Sequence, residues 1–172
     1  MCKYKGQDAS CKIIQRLVSK SEINEIVQAH NELRQRVATG KEVNQPEASN
    51  MRKMSWDKEL AEVAQRWADQ CNFKHDCTQC RKIERFSVGQ NLAISMSSND
   101  NATADWRKMI HKWYDEVKTF SSSHINPYKF DSNSGHYTQV VWANTYKVGC
   151  GYTYYKNNQW YTKLYVCNYG PT

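Results

Sequence analysis

No stretch of the chain approaches the ~20 consecutive apolar residues that a membrane-crossing helix needs, so a transmembrane helix is excluded. There is no low-complexity tract and no internal repeat, and like charges never run to a block of five. Disorder and a basic nucleic-acid-binding arm are both disfavoured on those grounds. The chain also lacks a G-x-S-x-G elbow, the strand–turn–helix seat of a serine nucleophile, and an Arg-Gly-Asp tripeptide. No hydrophobic leader precedes Cys2, and Met1 directly before it reads as an expression start on a mature or shortened chain.

What is present fits one domain with a substantial core: 172 residues, 40% of them apolar. A net charge of +7 could draw the chain to polyanions or acidic membrane surfaces. The cations are dispersed, however, and Arg34/Arg36, Arg52/Lys53, Arg66 and Arg81/Lys82 read as solvated helix faces and loops. No nucleic-acid partner is expected. Seven cysteines are many for a reducing compartment. Their spacing offers zinc only Cys77-Thr-Gln-Cys80, half of the usual module. No βαβ pattern surrounds it to support a redox motif. An oxidised, secreted protein is the better reading, and the glycosylation sequon Asn101-Ala-Thr103 agrees with it.

Residues 1–20 read as an irregular lead-in carrying Cys2 and Cys11, and residues 21–172 as the folded domain. In "SEINEIVQAHNELRQRVATG" the residues Ile23, Ile26, Val27, His30, Leu33 and Val37 recur at helical spacing. Ser19-Lys-Ser-Glu22 offers a capping box before them, and Gly40 a stop after them. Residues 41–55 read as loop. "WDKELAEVAQRWADQC" predicts a second helix, and Trp106, Met109, Ile110, Trp113 and Val117 a third over roughly 103–118. Loops follow at 95–101, before this third helix, and at 119–135, after it.

The last third, "HYTQVVWA", "VGCGYTYYK" and "WYTKLYVCNY", predicts strands. With Asn158-Gln159 as a two-residue tip, 157 pairs with 160 and 150 with 167. Both of the latter are cysteines, so register alone predicts a Cys150–Cys167 bridge. Helices first and a sheet last imply one layered α/β domain.

"GHYTQVVW" (135–142) and "YVCNYGP" (165–171) resemble the two signatures of the CAP superfamily, also called SCP/TAPS. "HNELRQRVATG", "WDKELAEVAQRWADQC", "VGQNLA" and "WYDEVK" resemble its other landmarks, in the same order, over about residues 21–171. Within the superfamily the pattern most resembles insect venom and salivary antigen 5 proteins. The resemblance implies a disulfide-stapled, single-domain α-β-α sandwich with a central, mainly antiparallel sheet. It implies a Cys11–Cys71 bridge, and a partner for Cys2 at Cys80 or Cys77, with one cysteine left over. It also implies a cleft in which two histidines, His75 and His136, meet two acidic positions. One acidic position is Glu116; the other is Gln90 here, where the family pattern has Glu.

His136 has a structural reading, a core imidazole satisfied by its neighbours, and a functional one, a ligand at the mouth of the cleft. Imidazole suits Zn²⁺ or Cu²⁺. Glu116 reads as a surface residue or as an acceptor for a site histidine's N–H. Gln90 can orient water but cannot act as a carboxylate base. His30 reads as structural, His111 and His124 as exposed. Ser134, His136 and Glu116 have the residue types of a triad, but Ser134 sits in a Ser/Asn loop and no protease is expected.

The expected function is therefore that of a secreted antigen 5-type protein of arthropod venom or saliva. It would modulate host physiology through a cleft holding a divalent metal, Cu²⁺ or Zn²⁺, at His75 and His136. With copper, superoxide scavenging follows, an activity ascribed to salivary members of the family. The alternatives are a carrier of a small amphipathic ligand (a lipid, eicosanoid or sterol) using residues 39–55 and 95–120, and an effector that binds host proteins of haemostasis.

Overall fold

Two glycines set how closely the layers of this protein approach. The computed structural model describes residue 4 and residues 6–172. In it β4 (Lys147–Asn157) carries Gly149 and Gly151 directly beneath α2 (Lys58–Ala68). A Cβ on Gly149 would lie 2.3 Å from the Ala61 backbone nitrogen, and one on Gly151 2.4 Å from Gln65 Cα. With only hydrogen there, the α2 backbone rests on the strand. Gln65 then acts as a strand neighbour: its Nε2 donates to Tyr152 O at 2.9 Å and its Oε1 accepts from Tyr152 N at 3.0 Å.

The sheet runs β1-β4-β5-β3, with β1 Lys12–Arg16, β5 Trp160–Gly170 and β3 Gly89–Ser97. These neighbours are antiparallel. The two-residue β2 (Ser55–Trp56) adds a parallel contact to β4. α2 covers one face, where Ala64, Trp67 and Ala68 pack on Leu92, Leu164 and Val166. On the other face α1 (Lys20–Ala38) and α3 (Trp106–Tyr114) bury Ile26, Leu33, Trp106 and Ile110 against Tyr152, Tyr154, Tyr165 and Tyr169. The result is the expected α-β-α sandwich. Each large side chain so buried contributes about 1.5–3 kcal/mol.

Local chemistry explains most boundaries. α1 begins with the capping box: Glu22 N donates to Ser19 Oγ at 3.3 Å, and Ser19 N to Glu22 Oε2 at 2.7 Å. It ends before Gly40, whose φ of 66° is left-handed. The β4–β5 hairpin turns at Asn158, at φ 54°, with Asn157 opposite Trp160 and Cys150 opposite Cys167. The Cys150–Cys167 bridge is present across that pair, Cα atoms 4.1 Å apart, and so is Cys11–Cys71.

Several expectations change. Residues 135–140 form a short helix, α4 (Gly135–Val140), and His136 does not start a strand. The segment's β-rich composition yields to a helical placement of Tyr137 and Val140, both buried in the core. The lead-in contains an ordered edge strand, β1, and β3 is an additional strand. Arg34 is no solvated residue. It is 2% exposed, and its guanidinium donates to the carbonyls of Arg52, Val140, Trp142, Ala143 and Thr145. Cys80 is bonded to Cys77. The turn there, with Cys80 N donating to Cys77 O at 2.8 Å, brings the two Cα atoms to 5.0 Å. Neither sulfur is then available to Cys2, which lies outside the described residues.

Candidate functional site

β3 enters the sheet at its edge, and alternation sends successive side chains to opposite faces. Gln90 lies on the α2 side, where its Nε2 donates to Oδ1 of its cross-strand partner Asn168 at 3.0 Å. Asn168 Nδ2 in turn reaches the Leu60 carbonyl of α2 at 3.5 Å. This relay leaves Gln90 Oε1 facing His75 Nδ1 at 3.0 Å as an acceptor. His75, exposed in the segment after α2, is thereby held with hydrogen on Nδ1 and its lone pair on Nε2.

Asn91, on the opposite face, donates to the His136 carbonyl at 3.1 Å. His136 is the second residue of α4. Its Nδ1 lies 2.6 Å from Glu116 Oε1, and Glu116 Oε2 accepts the backbone N–H of His136 at 2.9 Å and of Tyr137 at 3.1 Å. Ser134, the residue before α4, makes no side-chain cap. Glu116 supplies that cap from the 3₁₀ turn Asp115–Lys118 that continues α3. It also fixes the imidazole's tautomer. The Trp113 indole lies nearly parallel to the imidazole, 14° between planes and 6.4 Å between centroids. The His136 side chain is 35% exposed and Glu116 24%.

The structure therefore brings His75 to Gln90 and His136 to Glu116, in two pairs that contact the consecutive β3 residues Gln90 and Asn91. No hydrogen bond joins the pairs, and among the described residues no group of three or more His, Cys, Asp or Glu gathers as a metal cluster. Next to His75, Asp76 is buried and paired with Arg81 at 2.5 Å, its Oδ2 left without a partner. Burial pushes its carboxyl above the ordinary range against the pull of Arg81. Nothing in the sequence but its adjacency to His75 marks this residue.

Of the other histidines, His30 is fully buried between Ile26 O at 2.8 Å and Tyr169 OH at 2.9 Å. Burial lowers its pKa to about 4. His111 is exposed; His124 is half-buried. Ser134 is fully buried, with Oγ directed at Asp131 O at 3.4 Å and no hydrogen bond to the imidazole.

A second concavity, of about 580 Å³, opens between the end of α1, the 45–51 loop, the 120–128 segment and α4. Val37, Met51, Phe120, Tyr137, Val141 and Trp142 supply its apolar walls. The expected 39–55 region contributes; of residues 95–120 only Phe120 does. α4 thus carries His136 in one site and Tyr137 in the wall of the other.

The Cysteine-rich secretory protein (CAP) family matches residues 27–169. "Venom allergen 3" of Solenopsis invicta is 50% identical over 161 residues, 88% of this chain and 68% of that protein. "CRISP/Allergen/PR-1" of Trittame loki is 46% identical over 169 residues, 95% of this chain and 42% of that protein. The chain thus spans about two fifths of the latter's length. Among solved structures, Schistosoma mansoni venom allergen-like protein 4 matches with a TM-score of 0.69 and 31% identity, over 90% of each chain. NaASP2, solved with Zn²⁺, matches with a TM-score of 0.65 and 27% identity, over 96% of this chain and 84% of that one.

Proposed function

The chain belongs to the cysteine-rich secretory protein (CAP) family, and on that premise we propose that it is a secreted venom-allergen-type protein whose cleft takes up a divalent cation, Cu²⁺ or Zn²⁺, through His75 and His136. One observation carries the reading. Each imidazole has its Nδ1 committed to a fixed acceptor, Gln90 Oε1 or Glu116 Oε1. Each therefore presents Nε2 as the ligating nitrogen, as metal-bound histidines do when their other nitrogen is held by a hydrogen bond. The donor set fits a two-imidazole site whose remaining positions are filled by water or an incoming ligand. It does not fit a closed structural site, because Glu116 is engaged by α4 and Gln90 has no negative charge. The cation in the NaASP2 structure supports the assignment of metal affinity to this fold.

Copper held there would supply one-electron redox chemistry and so superoxide scavenging, which zinc cannot. The chain's own residues bind and orient: Glu116 and Gln90 hold the two rings, and Trp113 flanks one of them. Calorimetric titration of metal-free protein with Cu²⁺ and Zn²⁺ tests the proposal. Stoichiometric binding is expected, and it should vanish in a His75→Ala/His136→Ala variant that keeps its circular dichroism. Binding unchanged in that variant, or absent from the wild type, would sink it.

The cavity beside α4 favours a second reading, carriage of an amphipathic ligand. Its volume falls in the range of small-molecule sites, and its walls are mainly apolar. An organic extract of the purified protein should then contain a stoichiometric lipid, and Trp142→Ala should lose it while His75→Ala/His136→Ala keeps it.

A further inference from the structure

We propose that Cys77–Cys80 is an exchangeable disulfide that oxidises thiols, with Cys77 the sulfur that is attacked. Three observations separate it from the other two bridges. First, access is split: Cys77 is exposed, whereas Cys80 is 8% exposed. Cys150 and Cys167 are both buried, and Cys11 and Cys71 are both half-buried. An incoming thiol therefore meets one defined sulfur, with a shielded partner behind it.

Second, the sulfur released in the last step of an exchange, Cys77 Sγ, already has a backbone donor beside it. The Cys80 backbone N–H lies 3.0 Å from Cys77 Sγ and is oriented to donate to it. This amide favours the thiolate form of Cys77, and so its release when a second thiol attacks the mixed disulfide.

Third, the fold does not depend on the bond. Cys77 and Cys80 are 3 residues apart, against 60 and 17 for the other two bridges. Opening so short a loop returns little entropy to the unfolded chain. The turn is also held without the sulfurs. Cys80 N donates to Cys77 O at 2.8 Å. Arg81 donates from Nη1 to Asp76 O at 3.0 Å and from Nε to Val88 O at 3.0 Å.

The exchange balances with a small monothiol of the glutathione class as co-reactant. The first thiolate bonds to Cys77 Sγ and breaks the Cys77–Cys80 bond, and Cys80 leaves as a thiolate that takes up a proton. A second thiolate attacks the sulfur of the first in the mixed disulfide and releases Cys77. Two molecules of thiol are oxidised to one disulfide, and the protein bridge gains the two electrons.

The test incubates the full chain with graded ratios of reduced to oxidised glutathione, with EDTA present so that no metal masks the thiols. Alkylation and peptide mass mapping follow. Cys77 and Cys80 should become alkylated while Cys11–Cys71 and Cys150–Cys167 stay closed and the circular dichroism is unchanged. One oxidised glutathione should appear per bridge opened. In Cys80→Ser the glutathione adduct should accumulate on Cys77. In Cys77→Ser the adduct on Cys80 should form more slowly, by roughly tenfold. The proposal is overturned if the three bridges open together, if glutathione resides on Cys80 in preference to Cys77, or if native Cys80 is bonded to Cys2. Should either variant fail to fold, the wild-type titration decides alone.

Discussion

Glu116 holds His136 twice, through the imidazole Nδ1 at 2.6 Å and through the backbone N–H at 2.9 Å. The same carboxylate therefore closes the open end of α4 and sets which imidazole nitrogen faces outward. Removing it should reveal both roles. Glu116→Ala leaves two helix-end amides without their acceptor and should lower stability by about 1–2 kcal/mol in denaturant unfolding. Glu116→Gln keeps one oxygen for those amides and should lose less. In calorimetry, cation affinity at the histidine pair should fall by roughly 10–100-fold in the alanine variant. Stability lost with unchanged affinity would confine Glu116 to capping.

Gln90 stands where the family pattern has a carboxylate, which makes the reverse substitution informative. Gln90→Glu would set a negative charge against His75 Nδ1 and raise the imidazole's basicity. Cation affinity should rise by roughly tenfold or more. Stability should fall by about 1–3 kcal/mol, because the amide's donation to Asn168 is lost and a second carboxylate is buried near Asp76. Opposite movement of affinity and stability is the expected signature; affinity that falls with stability would remove Gln90 from the site.

Much of the fold was readable because local rules and global packing agree. Ser19 and Glu22 cap α1, and the Asn158-Gln159 tip sets Cys150 opposite Cys167 through a period of two that leaves no freedom. Residues 135–140 are helical against their strand-like composition because composition and packing disagree there. His136, Tyr137, Thr138 and Val140 have strand propensities, and the helix rests on the burial of Tyr137 and Val140 and on a cap from a carboxylate 20 residues away. No window of local sequence contains that partner. Arg34 hid similarly. Its carbonyl partners lie as far as Thr145 in the chain, so a buried guanidinium with no acidic partner reads as one more surface charge. The candidate histidines could be named from motifs, but their pairing with Gln90 and Glu116 required the folded chain.

His30 predicts an acid limit on stability. Its pKa is lowered to about 4 in the folded protein, chiefly by burial, while the unfolded chain titrates near the ordinary imidazole value of 6.5. Between those values the unfolded state binds a proton that the native state refuses, so stability rises with pH there. It should be complete above about pH 6.5 and decline towards pH 4, with a slope from this group of up to about 1.4 kcal/mol per pH unit. Denaturant midpoints measured across that window should follow this trend, and His30→Gln should flatten it. A slope unchanged by the substitution would assign the acid sensitivity to other groups.

Arg34 links the stability of the core to the cavity beside α4. Its guanidinium gathers the carbonyls of Val140, Trp142 and Ala143, which belong to the segment that walls the cavity, and ties them to α1 and to Arg52 O. Burial lowers its pKa to about 10, still far enough above neutrality for the charge and all of its donors to persist. Arg34→Met would match its length while leaving those buried carbonyls without a donor, and should cost about 3 kcal/mol or more in unfolding free energy. Arg34→Lys keeps a charge but only three donors, with no planar fork, and should lose less stability. In that folded variant the 140–145 segment is held at fewer points. Amide exchange there should quicken, and an apolar fluorescent probe should bind the cavity more weakly than in the wild type. Faster exchange with unaltered probe binding would show that the cavity does not depend on this anchor.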